Sequence, residues 1–190
     1  MKIVAALKII FTLLISLITL CAFAQKNKPL AQRLDSIYEA DQKYRELAMR
    51  FDGDSIWEII NKQDSINQVK VISILDKYGW LGADEVGKNG NAALFLVIQH
   101  SDIKTQEKYL PLMKEAVKSG KALASELALL IDRIEMRNDR LQIYGSQVQG
   151  NSFYPIIDEK NVNKRRAEVG LGPLEEYAKH FGMEYKLPKK

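Results

Sequence analysis

Seven consecutive apolar residues, Ala92 to Ile98, are the feature that most constrains how this chain folds. The run has no polar side, and a helix that is apolar all round is buried on every side. It is too short to cross a bilayer, which needs about 20 residues. We therefore expect it to form the central helix of a folded core. It leads directly into the polar cluster Gln99-His100-Ser101-Asp102.

The first 24 residues have the form of a secretory signal peptide. Lys2 and Lys8 supply a basic start, a long apolar stretch follows, and Ala22-Phe23-Ala24 is a small-x-small cleavage site. An uncleaved membrane anchor and a lipoprotein attached through Cys21 are the alternatives. Leu20 stands where a lipoprotein signal usually has a small residue, and a polar stretch follows the alanine pair. We therefore expect cleavage after Ala24 and export to the periplasm or beyond.

Cleavage at that point leaves 166 of the 190 residues, which fits a single domain. The predicted helical domain spans residues 25–185, and residues 186–190 form a loose tail. The single cysteine is lost with the signal, so the apolar core rather than disulfides must hold the domain together. Removal of two lysines lowers the formal charge from +4 to +2, and so small a surplus does not favour nucleic-acid binding. Beyond the signal peptide we expect no membrane contact, and the oligomeric state stays open.

Helical periodicity dominates the rest of the chain and predicts an all-α domain. Residues 84–91 hold two glycines and two asparagines and predict a turn or a frayed helical turn. Pro111 is expected to kink its helix or to mark its start. In chain order, the expected helices are 29–51, 55–78 as two helices or one bent helix, 91–101, 105–119, 122–138, 161–169 and 173–181.

Residues 140–157 have a different pattern. Leu141 and Ile143 alternate with polar residues, Gln149-Gly150-Asn151-Ser152 is typical of a turn, and the residues that follow have an extended composition. A small β-hairpin within 141–157 and a long irregular loop both fit this pattern. Long loops in compact domains are often functional.

A set of short motifs in the second half of the chain, about residues 78–177, resembles a bacterial family of unknown function. The resemblance implies a mostly helical domain and no known reaction, so it supports the choice of residues without supplying a mechanism. The motifs are Gln99-His100-Ser101-Asp102, Asp132-Arg133, Gln142-x-Tyr144-Gly145-Ser146-Gln147, Tyr154-Pro155-Ile156 and Asn161-Val162-Asn163-Lys164-Arg165-Arg166-Ala167.

Short connections between three consecutive helices predict that several of these polar residues converge. Short loops make sequential helices antiparallel neighbours, so the first and third helices run parallel. This brings His100, Asp132, Arg133, Gln142 and Tyr144 to the same end of the domain. Polar side chains at the edge of an apolar core each need a partner or a ligand.

Two functional hypotheses stay open for this site. In the first, an exported, non-catalytic domain binds a small ligand, an envelope component or a protein. In the second, a hydrolase or transferase uses His100 as general base with Asp132. A structural histidine satisfied by its neighbours is the alternative for His100, and the Asp132-Arg133 pair fits either an ion pair or an anion site. The ligand-binding candidates are Gln99, Arg133, Gln142, Tyr144, Gln147 and Arg166.

No metal or cofactor is expected from the motifs. The chain has two histidines, no H-x-x-x-H spacing and, once the signal is removed, no cysteine. There is no phosphate loop, no dinucleotide fingerprint and no Gly-x-Ser-x-Gly nucleophile elbow. Ser146 is the loop serine of interest, and His180 is predicted to lie on the surface.

Overall fold

A computed structural model describes residues 28–50 and 54–188 of the chain. The predicted signal peptide, residues 1–24, lies outside the described residues, as do the last two residues of the predicted tail. Among the described helices, none has the combination of length and hydrophobicity that a membrane span requires.

The described residues form seven α-helices, one 3₁₀ helix and one β-hairpin, which confirms the predicted all-α class. The first five helices are α1 (Lys28–Arg50), α2 (Asp54–Tyr78), α3 (Ala83–His100), α4 (Ile103–Lys118) and α5 (Ala124–Arg137). They are followed by strands β1 (Val148–Gln149) and β2 (Ser152–Phe153), the 3₁₀ helix Glu159–Asn161, α6 (Val162–Glu168) and α7 (Leu174–Lys179).

Helix α3 forms the buried centre of the fold, as the apolar run predicts. Leu94 and Ile98 have no exposed surface, and Val97 is 3% exposed. The helix packs mainly against α1, and also contacts α2, α4 and α5. Ala92 and Leu96, four positions apart, are the exceptions within the run, since both are only partly buried. The apolar run therefore places α3 correctly but overstates the burial of one of its sides.

Residues 84–91 are helical rather than a turn, because α3 already begins at Ala83. Gly87 interrupts the helix with φ 77° and ψ 168°, a conformation that glycine tolerates and other residues rarely adopt. After this break, Asn91 donates hydrogen bonds to the carbonyls of Leu81 and Lys121, at 2.6 and 2.8 Å. The glycines and asparagines of this segment thus shape the entry to the helix instead of preventing it.

Two helix starts differ from the sequence pattern for local reasons. Helix α2 is one continuous element, and the Ser65 hydroxyl donates to the Asn61 carbonyl inside it instead of capping a second helix. Helix α4 begins at Ile103 with Pro111 in its interior, because the Asp102 carboxylate accepts from the Thr105 backbone N–H at 3.0 Å. A single N-cap therefore sets the start of α4 ahead of the proline.

The last helix is shorter than predicted. Leu174 and Ala178 are fully buried, as expected, but α7 ends at Lys179. Phe181, which the sequence pattern places on the inward side of the helix expected at 173–181, follows the end of α7 and is 43% exposed. His180 is exposed, as predicted.

The segment between α5 and α6 contains both the hairpin and the irregular loop that the sequence allowed. Val148 pairs with Phe153 in the two-residue antiparallel ladder. An isolated parallel β-bridge joins Gln142, which follows α5, to Ile156, which follows β2. The segment before the hairpin is thereby fixed against the segment after it.

Candidate functional site

Helices α1 and α2 each have a stripe of buried apolar side chains that continues into polar side chains. Asp41 continues the stripe that begins with Leu34, and it is 3% exposed. On α2, Asp64 and Asn67 follow the buried Ile60 at helical spacing, and Asn67 is also buried. A carboxylate in such a position costs free energy unless it is paired.

Asp41 and Asp64 are paired within a group of four side chains, Asp41, Arg45, Asp64 and His100, which we call the charged cluster. Arg45 Nη2 lies 2.8 Å from Asp64 Oδ1 and 3.3 Å from Asp41 Oδ1, so it bridges the two carboxylates. Burial raises the pKa of Asp41, but the hydrogen bond and charge of His100, together with Arg45, outweigh burial and leave that pKa below its usual value. Asp41 is therefore an anion at neutral pH.

His100 is oriented by Asp41. Its Nδ1 lies 3.2 Å from Asp41 Oδ1, and its side chain is 17% exposed. An ionised carboxylate only accepts hydrogen bonds, so the Nδ1 proton is the donor and Nε2 carries the lone pair of the neutral ring. Such an Asp–His pair has the chemistry of a general base. Within the described part of the chain, no hydrogen bond joins His100 to Asp132, the partner that the sequence suggested.

Asp132 instead anchors the loop at residues 142–147. It is fully buried on α5, and its Oδ1 accepts from the backbone N–H of Ile143 at 2.7 Å and of Tyr144 at 3.0 Å. Its Oδ2 accepts from the Ser146 N–H at 2.9 Å. Three backbone donors occupy most of the acceptor capacity of one carboxylate, so Asp132 holds the loop in place.

Gln142 fixes the same loop from within. It is fully buried, and its Oε1 accepts from the Gln147 N–H at 2.9 Å. Its Nε2 donates to the carbonyls of Gln147 and Tyr154, at 3.1 and 2.6 Å. The Gln147 side chain in turn donates to the buried Ser146 hydroxyl at 2.9 Å. The side-chain amides of Gln142 and Gln147 therefore bind groups of the loop itself.

Arg166 binds carbonyl groups of the loop and of the chain after α6. It is 2% exposed and donates to the carbonyls of Tyr144 at 2.8 Å and Gly172 at 2.6 Å. Its guanidinium carbon lies 4.9 Å from the ring centroid of Tyr177, a cation–π distance. The predicted site residues thus separate into a loop cluster, which contains Asp132, Gln142, Tyr144, Gln147 and Arg166, and His100 with its own partners.

Gln99 belongs to neither group. It is buried between α3 and α5, where its Nε2 lies 3.4 Å from the Leu129 carbonyl. Its buried Oε1 has no hydrogen-bond partner in the described part of the chain, and its backbone carbonyl accepts from the Gln106 side chain at 2.8 Å. This residue lies in the interhelical interior rather than in an open site.

Arg133 is the predicted site residue with a buried donor atom for which the described residues supply no acceptor. It is half-buried on α5, and its buried Nε has no hydrogen-bond partner within residues 28–50 and 54–188. Burial lowers the pKa of Arg133, and the positive charges of Arg137 and Arg45 lower it further, while Tyr177 opposes them. None of the described carboxylates contributes to raising the pKa of Arg133. The charge of Arg133 is therefore opposed by two like charges, those of Arg137 and Arg45.

A cavity of about 250 Å³ adjoins the charged cluster. Arg45 lines it together with Ala48, Trp57 and Ile60, so one side is cationic and the others are apolar. The exposed ring of Trp57 at this position gives a ligand an apolar surface beside the arginine.

Asp41, Asp64 and His100 are the described residues with the geometry to share a metal ion. One ligand atom from each lies within 4.8 Å of the others. The guanidinium of Arg45 already bridges the two carboxylates, so a metal ion would have to displace it. Spacing along the chain gave no sign of this group, because its members come from three different helices.

Asp41, Arg45 and Asp64 were not among the residues singled out from the sequence. Asp41 follows Leu34 by seven positions and Ile37 by four, so a helical projection of α1 places it on the apolar stripe. A charge on such a stripe is the signal that could have identified it. Tyr177 lies on the inward side of the predicted last helix, which gives no sign that its hydroxyl donates to the Ser146 carbonyl at 3.1 Å.

No curated protein and no solved structure matches the chain. A family model described as "Family of unknown function (DUF6624)" matches residues 28–190, which include every residue of the charged and loop clusters. The chain therefore belongs to this family.

Proposed function

We propose that this domain binds a small anionic ligand, through a carboxylate or phosphate group, at Arg133. The observation that carries the proposal is the buried Nε of Arg133, which has no hydrogen-bond partner among the residues that the structure describes. A buried polar atom without a partner costs free energy, and an unpaired buried charge costs more. An anion supplies the missing acceptors, and a guanidinium recognises carboxylate or phosphate through two parallel hydrogen bonds.

The surrounding charges support an anion rather than a cation. Arg45 and Arg137 both act on Arg133, and each already has acceptors of its own. Arg45 is held by Asp41 and Asp64, and Arg137 donates to the Ser101 carbonyl at 2.6 Å. Arg133 differs from both in having a buried Nε that no group of the described residues accepts from, so it has capacity left for a ligand, and the charges of its two neighbours add to the attraction.

The test compares Arg133→Met with Arg140→Met, an exposed control whose partner is Glu135. Phosphate and citrate are titrated by calorimetry at constant ionic strength, and thermal unfolding is recorded without these anions. We expect Arg133→Met to weaken anion binding by about tenfold or more, the value of a charge-assisted hydrogen bond. Without the anion it should be at least as stable as the wild type, because an unpaired charge has been removed.

Two outcomes contradict this proposal. The first is equal anion affinity in the wild type and Arg133→Met. The second is a large loss of stability in Arg133→Met without ligand, since this indicates that Arg133 already has its partner within the protein.

A second candidate function is a hydrolase or transferase, and the orientation of His100 by Asp41 favours it. The Nδ1 contact with a buried carboxylate leaves Nε2 as a base, and general-base catalysis contributes about 10²–10⁴-fold in rate.

p-Nitrophenyl phosphate and p-nitrophenyl acetate are suitable substrates for a test of this catalysis. His100→Gln should abolish turnover of the substrate that the wild type accepts, whereas His180→Gln, on the surface, should not. No turnover by the wild type, or equal turnover by both variants, counts against catalysis.

A further inference from the structure

A second cavity, of about 360 Å³, lies between the hairpin and the C-terminal segment. Phe153 and Tyr154 line it from the hairpin side, and Met183 and Tyr185 line it from the C-terminal segment. We call it the aromatic groove. Its volume is within the range of about 300–1,000 Å³ that small-molecule sites occupy. It is separate from the Arg133 site, because the two share no residue.

The aromatic side chains of the groove are held in a fixed arrangement. The rings of Phe153 and Tyr185 meet at 89° with centroids 5.2 Å apart, so they form a corner. Phe153 also stacks on Tyr177 at 6.2 Å and 17°, and the Tyr185 hydroxyl donates to Glu159 at 2.5 Å. Two rings with defined positions need little ordering when a ligand arrives.

The charged residues of the groove are acidic. Glu159 and Glu184 line it, and the described residues on its surface include no lysine, arginine or histidine. Aromatic faces carry partial negative charge, so rings and carboxylates attract the same kind of ligand. Pro155, Ile156 and Met183 add apolar surface, which suits alkyl groups better than a hydrated metal ion.

From this geometry we propose that the aromatic groove binds a small organic cation, an alkylated ammonium group seated against Phe153 and Tyr185 with Glu159 as counter-charge. The ammonium charge faces the rings and the carboxylate, and the alkyl groups contact the apolar residues. Glu159 keeps an oxygen for the ligand, because its hydrogen bond from Tyr185 uses Oε1.

The protein is titrated with choline, with ethanolamine, and with 3,3-dimethyl-1-butanol, the uncharged isostere of choline. Calorimetry gives the affinities, and two-dimensional NMR locates the binding. We expect choline to bind at least about tenfold more tightly than the isostere, because a desolvated cation–π contact supplies that factor. Ethanolamine separates a requirement for alkyl groups from a requirement for charge alone, and it should bind more weakly than choline.

Matched variants locate the site. Tyr185→Leu should weaken choline binding by about tenfold, and Glu159→Gln should weaken it while still accepting the Tyr185 hydrogen bond, which preserves the fold. Tyr78→Leu is the control, since Tyr78 is a 50% exposed tyrosine at the end of α2. Arg133→Met should leave choline binding unchanged, so the two proposed sites succeed or fail separately.

Three results would overturn the proposal. One is the absence of choline binding by the wild type, and another is equal affinity for choline and its neutral isostere. The third is choline binding that Glu159→Gln and Tyr185→Leu alter no more than Tyr78→Leu does.

Discussion

The five-helix part of the molecule, residues 28–50 and 54–137, and the loop-rich part, residues 138–188, are held together by different forces. In the first, apolar side chains from all five helices surround Leu94 and Ile98. In the second, much of the chain is irregular, and polar side chains bind its backbone. Arg165, for example, donates to the carbonyls of Ile143, Ile157 and Asp158.

This difference follows from what each backbone must satisfy. A helix pairs its own N–H and C=O groups, so helices need little more than an apolar face to pack. A buried irregular loop has no such internal ladder, and its amides need side-chain partners. Asp132 and Gln142 fulfil this need, so residues with the composition of an active site serve here as loop anchors.

The largest effect is expected from a charge in the helical part. Leu94→Asp places a carboxylate at a fully buried position, which should destabilise the domain by about 4 kcal/mol or more. Leu96→Asp, in the same helix but partly buried, should cost distinctly less. Circular dichroism during thermal unfolding measures both, and equal melting of Leu94→Asp and the wild type would show that α3 is peripheral.

A smaller and more local effect is expected in the loop-rich part. Asp132→Asn replaces one acceptor oxygen by an NH₂ group that faces backbone N–H donors, and we expect a loss of about 3 kcal/mol. Hydrogen exchange should accelerate at the amides of Ile143, Tyr144 and Ser146 before it does in α3. Asp139→Asn, on the surface next to this loop, is the control. Uniform acceleration over the whole molecule would contradict the separation of the two parts.

The sequence predicts the helical part well because periodicity reports burial directly. It locates α3 from one apolar run, although it misses Gly87 as a break within a longer helix. It selects the polar residues of the loop part but not their partners, because a hydrogen bond such as Asp132 to Ser146 depends on a backbone path that residue types do not encode. His100 shows the same limit, since its partner Asp41 lies 59 positions away on another helix.

The smallest effect is expected at the junction of α3 and α4, where a polar anchor supports the helical part. The Thr105 hydroxyl and then its N–H lower the pKa of Asp102 from 3.8 to about 2. A carboxyl with a lowered pKa stabilises the fold above about pH 4 and loses this contribution as the pH falls toward 2. Asp102→Ala should therefore cost about 1 kcal/mol at pH 7, the value of an N-cap, and much less at pH 2. Asp102→Asn keeps one acceptor for the Thr105 N–H but removes the charge, so it should be less stable than the wild type at pH 7 and close to it at pH 2. Urea unfolding at both pH values measures these differences, and a cost of Asp102→Ala that is the same at pH 7 and pH 2 would show that the carboxylate charge is not what caps α4.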